Sequence, residues 1–169
     1  MAITYHDLYL KTRMALSSAG IEAAQLEARE ILCAAAEKTA EELYRDISLY
    51  TTDAIAEKTE ALQARRLAGE PIAYLLGEWS FCGLPFFVSP AALIPRVDTE
   101  MLAQLAMNRL KEHPGHTRIL DLCAGTGCVG LTAAALLKNT RAVLVDLSDG
   151  ALDLCKRNIR RHKLTGRAV

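Results

Sequence analysis

The spacing of apolar and polar residues divides the chain into a helical first part and a second part in which strands and helices alternate. Stretches rich in Ala, Glu and Leu predict helices at about Glu22–Glu37 and Thr52–Ala68, and Pro71 suits the first turn of a short helix that Gly77 ends. Two capping boxes mark further helix starts, Thr4 with Asp7 and Thr39 with Glu42. The first 77 residues are therefore expected to form a helical bundle.

The stretch "WSFCGLPFFVSP" changes the pattern from helical to extended. Its aromatic and apolar residues, interrupted at Gly83–Pro85, predict a β-hairpin with strands Trp79–Cys82 and Phe86–Val88. A helix capped by Asp98 or Thr99 should follow the hairpin. The predicted apolar stripe of this helix consists of Leu102, Leu105, Ala106 and Leu110.

From Arg118 onward the pattern is strand, glycine turn, helix, strand and helix. The two strands are Ile119–Leu122 and Ala142–Val145, the two helices are Val129–Leu137 and Gly150–Lys163, and the second strand is expected to be buried. Strands that alternate with helices predict a parallel sheet. The expected fold class is therefore α/β: an N-terminal helical bundle domain at residues 1–77, a β-hairpin linker at 78–97, and the first half of a Rossmann-like domain at 98–169.

Two strands are only half of such a sheet, and a parallel sheet needs cover on both faces. We therefore expect the chain to be the N-terminal part of a longer protein. The second strand should leave apolar surface and an unpaired edge, and an exposed edge invites pairing with another chain. Self-association through the incomplete sheet is the resulting expectation.

Charge and composition exclude several classes of protein. Lys and Arg number 20, as do Asp and Glu, so the net charge is zero and gives no reason to expect direct nucleic-acid binding. The longest apolar run, Val129–Leu137, is about half of a membrane span, and the start lacks a signal-peptide pattern, so we expect no membrane association. Five cysteines without C-x-x-C spacing predict reduced thiols and a cytoplasmic location. His113 and His116 have no third ligand near them in the sequence, so no metal site is predicted.

The stretch "ILDLCAGTGCVG", Ile119–Gly130, has the composition of a turn that brings backbone close to a ligand. Gly125, Gly127 and Gly130 fit the pattern G-x-G-x-x-G, and Asp146 follows about twenty residues later, as in nucleoside-binding Rossmann folds. Several such families share this arrangement, so the pattern alone does not choose the ligand.

Asp121, at the tip of the first strand, favours S-adenosylmethionine over a dinucleotide. A carboxylate there would face a dinucleotide's pyrophosphate, whereas it suits the ammonium group of S-adenosylmethionine. Asp146 would accept hydrogen bonds from the ribose hydroxyls, and amides at the helix N-terminus would hold the ligand's carboxylate. The alternative is that Asp121 only caps a helix and the glycines only form a tight turn. If the cofactor hypothesis holds, Gly127→Val should abolish binding and spare the fold.

Three segments, "GEPIAYLLGEWSFCGLPFFVSPAALIPRVDTE", "ILDLCAGTG" and "VDLSDGALDLCKRN", resemble the HemK-type protein-glutamine methyltransferases. The resemblance implies a small helical domain, a hairpin linker and a Rossmann-type domain. It also implies methyl transfer from S-adenosylmethionine to the glutamine amide of the Gly-Gly-Gln loop in peptide-chain release factors, which would be the protein substrate. The residues implied to bind the cofactor are Asp121, Cys123, Ala124, Gly125, Thr126, Gly127 and Asp146.

The chain departs from the family pattern at several positions. The family often has glycine at Cys123, threonine at Ala124 and proline at Val97. Its catalytic Asn-Pro-Pro-Tyr motif is absent, because Asn108, Asn139 and Asn158 are the only asparagines and none precedes proline. We therefore predict no catalytic residue in this chain and no methyl transfer by the chain alone.

Other functions stay open at this point. Methyltransferases for exocyclic amines of nucleic-acid bases share the cofactor turn, and a truncated paralogue could bind a release factor or the cofactor without turnover. A nicotinamide oxidoreductase is a further alternative. The basic run "CKRNIRRHK" could contact a nucleic acid or a release factor, but the solvated face of an amphipathic helix is the preferred interpretation, with Leu152, Ile159 and Leu164 toward the core.

Overall fold

A computed structural model describes residues 3–113 and 115–169 of the chain. Its first part is helical, its middle is a hairpin, and its last part alternates helices and parallel strands, as the sequence predicts. The elements in chain order are α1 (Tyr5–Ser18), α2 (Ala24–Ala36), α3 (Ala40–Arg45), α4 (Asp53–Leu67), α5 (Ile72–Leu76), β1 (Glu78–Phe81), β2 (Leu84–Phe87), α6 (Val97–Lys111), β3 (Thr117–Leu122), α7 (Cys128–Leu136), β4 (Thr140–Val145) and α8 (Asp149–Arg161).

The chain forms two compact units, a helical unit that ends at Leu76 and a second unit from Gly77 to Val169. In the helical unit, both predicted capping boxes are present at the starts of α1 and α3. Helices α2 and α4 are joined by an ion pair in which Arg66 Nε lies 2.6 Å from Glu27 Oε2. Both side chains are largely shielded from water, so removing one of them would leave the other charge buried without a partner.

The hairpin is tighter than the sequence suggested. Strands β1 and β2 pair antiparallel, with Trp79 opposite Phe86. Cys82 and Gly83 alone form the turn, and both have positive φ, 49° and 74°, as a two-residue hairpin turn with matching twist requires. Phe81 and Phe86 are fully buried in the core of the second unit, whereas the Trp79 side chain stays 37% exposed.

Strands β3 and β4 pair in parallel, with Asp121 opposite Leu144. Side chains that alternate along the strands, among them Ile119, Ala142 and Leu144, enter one core with residues of α7 and α8. The prediction of a buried second strand holds for one face only, because Val143 and the alternate residues of both strands lie on the other face. That open face carries Arg118, Leu120, Leu122, Arg141, Val143 and Val145, all exposed.

The outer edge of β4 is not left unpaired, which corrects the expectation for this strand. The last residues of the chain run parallel to it: the Ala142 N–H donates to the Arg167 carbonyl, the Leu144 N–H to the Val169 carbonyl, and the Val169 N–H to the Ala142 carbonyl. Within the described residues no strand pairs with the other side of β3. The open edge therefore belongs to the first strand of the parallel pair.

Helix α6 buries a face that only partly overlaps the predicted one, since Ala106 and Leu110 of the predicted stripe are half-buried. Ala103 and Met107 are buried, while Leu102 and Leu105 of the predicted stripe are exposed. A small residue such as Ala103 lets two helices approach closely, and α6 packs on the alanine-rich α7. The helix also begins earlier than predicted: Arg96 is the N-cap residue and gives no side-chain cap, so neither Asp98 nor Thr99 fills that role.

Helix α8 has the predicted amphipathic character. Ile159 and the following Leu164 are buried and Leu152 is half-buried, as expected. Two arginines of the basic run stack on the β2 residue Phe87, with the guanidinium carbons of Arg157 and Arg161 at 4.7 and 4.3 Å from the ring centre. The run is thus partly occupied in holding the hairpin against α8.

None of the helices in the described parts of the chain combines the length and the apolar character that a membrane crossing demands.

Candidate cofactor site

The predicted ligand turn lies between the carboxyl end of β3 and the start of α7. Cys123, Gly125 and Gly127 all have left-handed backbone, with φ of 58°, 57° and 76°. Glycine adopts this region freely, whereas a residue with a Cβ does so at a cost of about 1 kcal/mol. The turn therefore folds back sharply enough to present its backbone at the C-terminal edge of the sheet, where open α/β folds bind ligands.

Cys123 is exposed, and its left-handed conformation accounts for the glycine that related sequences were expected to have there. Ala124 is buried, and its N–H donates to the Val145 carbonyl at 3.0 Å. This bond continues the ladder between the two strands into the start of the turn. A small side chain is therefore compatible with the turn at both positions.

Asp146, directly after β4, ties the turn to the next loop. Its Oδ2 accepts from the Gly125 N–H at 2.8 Å, and its Oδ1 accepts from the Ser148 N–H at 3.0 Å. These backbone donors, Ser148 first and then Gly125, lower the pKa of Asp146 below its ordinary value. The carboxylate is therefore ionised at neutral pH, and its remaining lone pairs can accept further hydrogen bonds.

Asp121 caps helix α7, which is the alternative role predicted for it. Its Oδ2 accepts from the Gly130 N–H in the first turn of α7 at 2.8 Å. Burial raises the pKa of this carboxyl, and the charge of the nearby Asp146 adds to the rise, while the Gly130 bond opposes it. Because only Oδ2 is used in this bond, the cap does not exclude a cationic ligand at Oδ1.

The three glycines serve different purposes. A Cβ at Gly125 would lie at an ordinary van der Waals distance, 3.7 Å, from Ala92 Cβ, so a methyl group would fit there and the left-handed backbone is what favours glycine. A Cβ at Gly127 would lie 3.0 Å from methyl groups of both Leu131 and Leu144. A Cβ at Gly130 would lie 2.7 Å from Leu144 Cδ2. The expectation that Gly127→Val spares the fold does not hold, since this residue is packed against the core and has positive φ.

Two residues of α8 that sequence reasoning did not assign to the site hold the turn from beneath. The Cys155 thiol donates to the Gly125 carbonyl at 3.3 Å, and the Asn158 amide donates to the Thr126 carbonyl at 2.9 Å. Burial raises the pKa of the Cys155 thiol to about 12, so it remains a neutral donor. The sequence does contain one signal for this role of Asn158: it is a polar residue on the apolar face of an amphipathic helix.

The segment after β2 forms a wall beside the turn. Ala92 lies near Gly125, and Ala91 Cβ lies 3.1 Å from the place where Gly150 would carry a Cβ. Ala92 also packs with Ala151 and Leu154 of α8. The site is thus bounded by the glycine turn, the Asp146 loop and residues 88–92, all within the second unit.

This arrangement fits S-adenosylmethionine. It combines an ionised carboxylate at the second strand end, a second carboxyl group at the first, a helix N-terminus at Cys128 and an exposed residue, Cys123, at the start of the turn. Over residues 3–113 and 115–169 no group of three or more His, Cys, Asp or Glu side chains is arranged to hold a metal ion.

Comparison with known families first gives the class of protein. Residues 96–169 match the methyltransferase small domain family, and residues 7–77 match the family described as the PrmC N-terminal domain. The relatives below, which are release factor glutamine methyltransferases, are similar to the chain across both matched segments. The resemblance predicted from the sequence is confirmed.

The relatives match most of this chain but extend beyond the match. The release factor glutamine methyltransferase of Aliivibrio fischeri is 36% identical over 95% of this chain and 56% of its own length. The Geobacter sulfurreducens protein of the same name is 37% identical over 89% of this chain and 52% of its own length. The Escherichia coli protein is 47% identical over 63% of this chain and 38% of its own length. The chain spans about half the length of the curated relatives it matches.

Proposed function

We propose that this chain supplies the S-adenosylmethionine-binding part of an enzyme that methylates the glutamine side-chain amide in the Gly-Gly-Gln loop of peptide-chain release factors. The observation that carries the proposal is the clamp of Asp146 on the Gly125 amide, at the end of β4 beside the glycine turn. The names of the relatives support the substrate class. A cytoplasmic location, where release factors act, forms part of the proposal.

Each residue of the candidate site has a role in this proposal. The cofactor, when bound, supplies a methyl group on a positively charged sulfur. Asp146 accepts from the ribose hydroxyls, and Asp121 faces the ammonium group of the cofactor. The backbone from Cys123 through Ala124, Gly125 and Thr126 to Gly127 holds the methionine moiety, with the cofactor's carboxylate toward the N-terminus of α7.

The domain division at residues 1–77, 78–97 and 98–169 also belongs to the proposal. The helical domain would dock the release factor, and the hairpin would join it to the methyltransferase domain. Phe81 and Phe86 are buried with residues of α7 and α8, which supports a fixed attachment of the hairpin to the methyltransferase domain.

Among the residues that the structure describes, we assign no group to the task of aiming the glutamine amide. An amide nitrogen is a poor nucleophile, so positioning and electrostatics must supply most of the catalysis. None of the three asparagines precedes proline, and Asn158 is fully buried and hydrogen-bonded. We therefore propose that residues 1–169 alone bind the cofactor but do not transfer its methyl group.

Calorimetric titration with S-adenosylmethionine tests the cofactor site. Charge-assisted hydrogen bonds contribute about 1.5–3 kcal/mol each, so Asp146→Ala should weaken binding at least about tenfold. Asp149→Ala is the matched control, because Asp149 is an exposed acid in the first turn of α8 that makes no hydrogen bond to the glycine turn. Equal affinities of the two variants, or tight NADH binding by the parent, would contradict the proposal.

Transfer of tritiated methyl groups to a purified release factor tests the reaction. The chain alone should give no product, and turnover by it would overturn the need for the missing Asn-Pro-Pro-Tyr motif.

A non-catalytic binding module is the second candidate, and the absence of that motif favours it. Binding of a release factor by a chain that binds no S-adenosylmethionine would favour this module over the first proposal, whereas methylation of added DNA or RNA would support an exocyclic-amine enzyme.

A further inference from the structure

Asn158 is completely buried, and its side-chain amide uses both of its ends. Nδ2 donates to the carbonyls of Phe87 and Thr126, at 3.0 and 2.9 Å, and Oδ1 accepts from the Phe87 N–H at 2.8 Å. One side chain therefore joins three parts of the fold: the end of β2, the glycine turn and α8. Of the two amide hydrogens and the carbonyl oxygen, none is left to solvent.

Both backbone positions that Asn158 holds adjoin the candidate cofactor site. Thr126 lies between the two left-handed glycines of the turn. Phe87 leads into residues 88–92, and Ala92 Cβ lies 3.7 Å from the place where Gly125 would carry a Cβ. Asn158 thus binds the backbone on both sides and holds the turn at a set distance from residues 88–92.

We propose that Asn158 is a positioning residue that holds the hairpin and the glycine turn in one arrangement and so fixes where the backbone of the turn lies at the candidate cofactor site. This inference rests on the proposed function, in which the turn holds S-adenosylmethionine. Asn158 acts through the backbone of Phe87 and Thr126 and does not itself touch the reacting atoms.

The chemistry of the side chain explains the choice of asparagine. Leucine, of nearly the same size, would leave the Phe87 N–H and two carbonyl oxygens buried without partners. Aspartate would still accept from the Phe87 N–H but would lose the donors to Phe87 and Thr126. The aspartate variant therefore keeps the bond from the Phe87 N–H and removes the bonds to both carbonyls, whereas the leucine variant removes all three.

Amide hydrogen exchange of the chain without cofactor measures this coupling, after correction for the urea stability of each variant. The Gly127 N–H belongs to the same peptide group as the Thr126 carbonyl, so it reports on the bond to the turn. In Asn158→Leu, the amides of Phe87 and Gly127 should both exchange at least about tenfold faster. In Asn158→Asp, the Gly127 amide should accelerate and the Phe87 amide should accelerate much less. In Cys155→Ala, which removes only the thiol bond to Gly125, the Phe87 amide should be unchanged.

Ile159→Ala is the matched control, because Ile159 is a buried neighbour on the same helix that packs in the apolar core. It should lower the stability and leave the corrected exchange of both amides unchanged. If Asn158→Leu and Asn158→Asp behave like this control, or if the two amides respond independently in Asn158→Leu, the positioning role is overturned.

Titration with S-adenosylhomocysteine then links the coupling to the candidate cofactor site. Asn158→Leu should bind it at least about tenfold more weakly than Ile159→Ala does. Equal affinities of these two variants would overturn the effect of Asn158 on the candidate cofactor site. Absence of binding by the parent chain would refute the proposed function, and the exchange experiment would still decide whether Asn158 couples the hairpin to the turn.

Discussion

The two faces of the β3–β4 pair have similar amounts of apolar side chain but differ in what covers them. On one face Ala142 and Leu144 enter the core with α7 and α8, and Leu144 is 7% exposed. On the other face Leu120 and Leu122 are 60% and 64% exposed. An apolar side chain stabilises a fold only when something packs on it, so hydrophobicity along a strand does not by itself tell which residues contribute to stability.

Truncation of Leu144 should give the largest difference between the faces. Leu144→Ala removes methyl groups that lie directly below the turn glycines and should cost about 2–5 kcal/mol in the free energy of unfolding. Val143→Ala, the neighbour on the open face, should stay within about 0.5 kcal/mol of the parent. Urea denaturation followed by circular dichroism measures both, and equal losses would refute the assignment of the faces.

A methyl group added on the covered face should have a smaller effect. Gly130→Ala forces a contact with Leu144 and Asp121 that should cost about 1–3 kcal/mol, against which the higher helix propensity of alanine returns about 1 kcal/mol. Gly166→Ala is the control, because nothing lies within 4 Å of the added carbon.

The double variant of Gly130→Ala with Leu144→Ala sharpens this prediction. Since shortening Leu144 makes room for the added methyl group, the double variant should lose less stability than the sum of the two single variants. Strict additivity would show that the two side chains do not meet.

Charges placed on the open face should change association and hardly change stability. Leu120→Glu with Leu122→Glu should stay within about 0.5 kcal/mol of the parent. The same pair should reduce any self-association, because it removes exposed apolar surface beside the open edge of β3. Light scattering over a range of protein concentrations tests this, and unchanged association would place the contact elsewhere.

The smallest expected effect is a difference between Asp121 and Asp146, at the two strand ends, in how they change stability with pH. The pKa of Asp146 is lowered, so its stabilising contribution is present above the unfolded pKa and is lost as the pH falls through the folded pKa. The pKa of Asp121 is raised, so its ionised form costs stability, and that cost appears as the pH rises from the unfolded to the folded pKa.

Substitution by asparagine tests these opposite signs. At neutral pH, Asp146→Asn should be less stable than the parent, and Asp121→Asn at least as stable, because its amide oxygen can still accept from Gly130. The difference between the variants should shrink below about pH 4, near the ordinary pKa of aspartate. Thermal unfolding at neutral and acidic pH measures it, and a difference that is independent of pH would contradict the assignment.

Local signals in the sequence predicted local structure well. Thr4 and Thr39 cap their helices as expected, and the strand–turn–helix order around Gly125 and Asp146 predicted the fold of the second unit. These features depend on residues close together in the chain. The roles of the candidate site residues in cofactor binding stay predictions.

Two features could not be predicted from the sequence: which of two equally apolar surfaces is buried, and which polar residues meet across long stretches of the chain. Leu102 and Ala103 are both apolar, and only the packing against α7 decides that the smaller one is buried. Asn158 meets Phe87 across 71 positions of the chain, so no local pattern could predict that contact. Cys155 could be recognised as a core residue but not as a donor to the turn.

The position of Trp79 in β1 has a practical consequence for optical work. It is the chain's single tryptophan and lies in the second unit, whereas all five tyrosines lie at or before position 74, in the helical unit. Each unit thus carries its own chromophore, and tryptophan and tyrosine signals can be recorded from one sample. Transitions that coincide would mean that the units unfold as one cooperative block, and transitions that separate would give each unit its own stability.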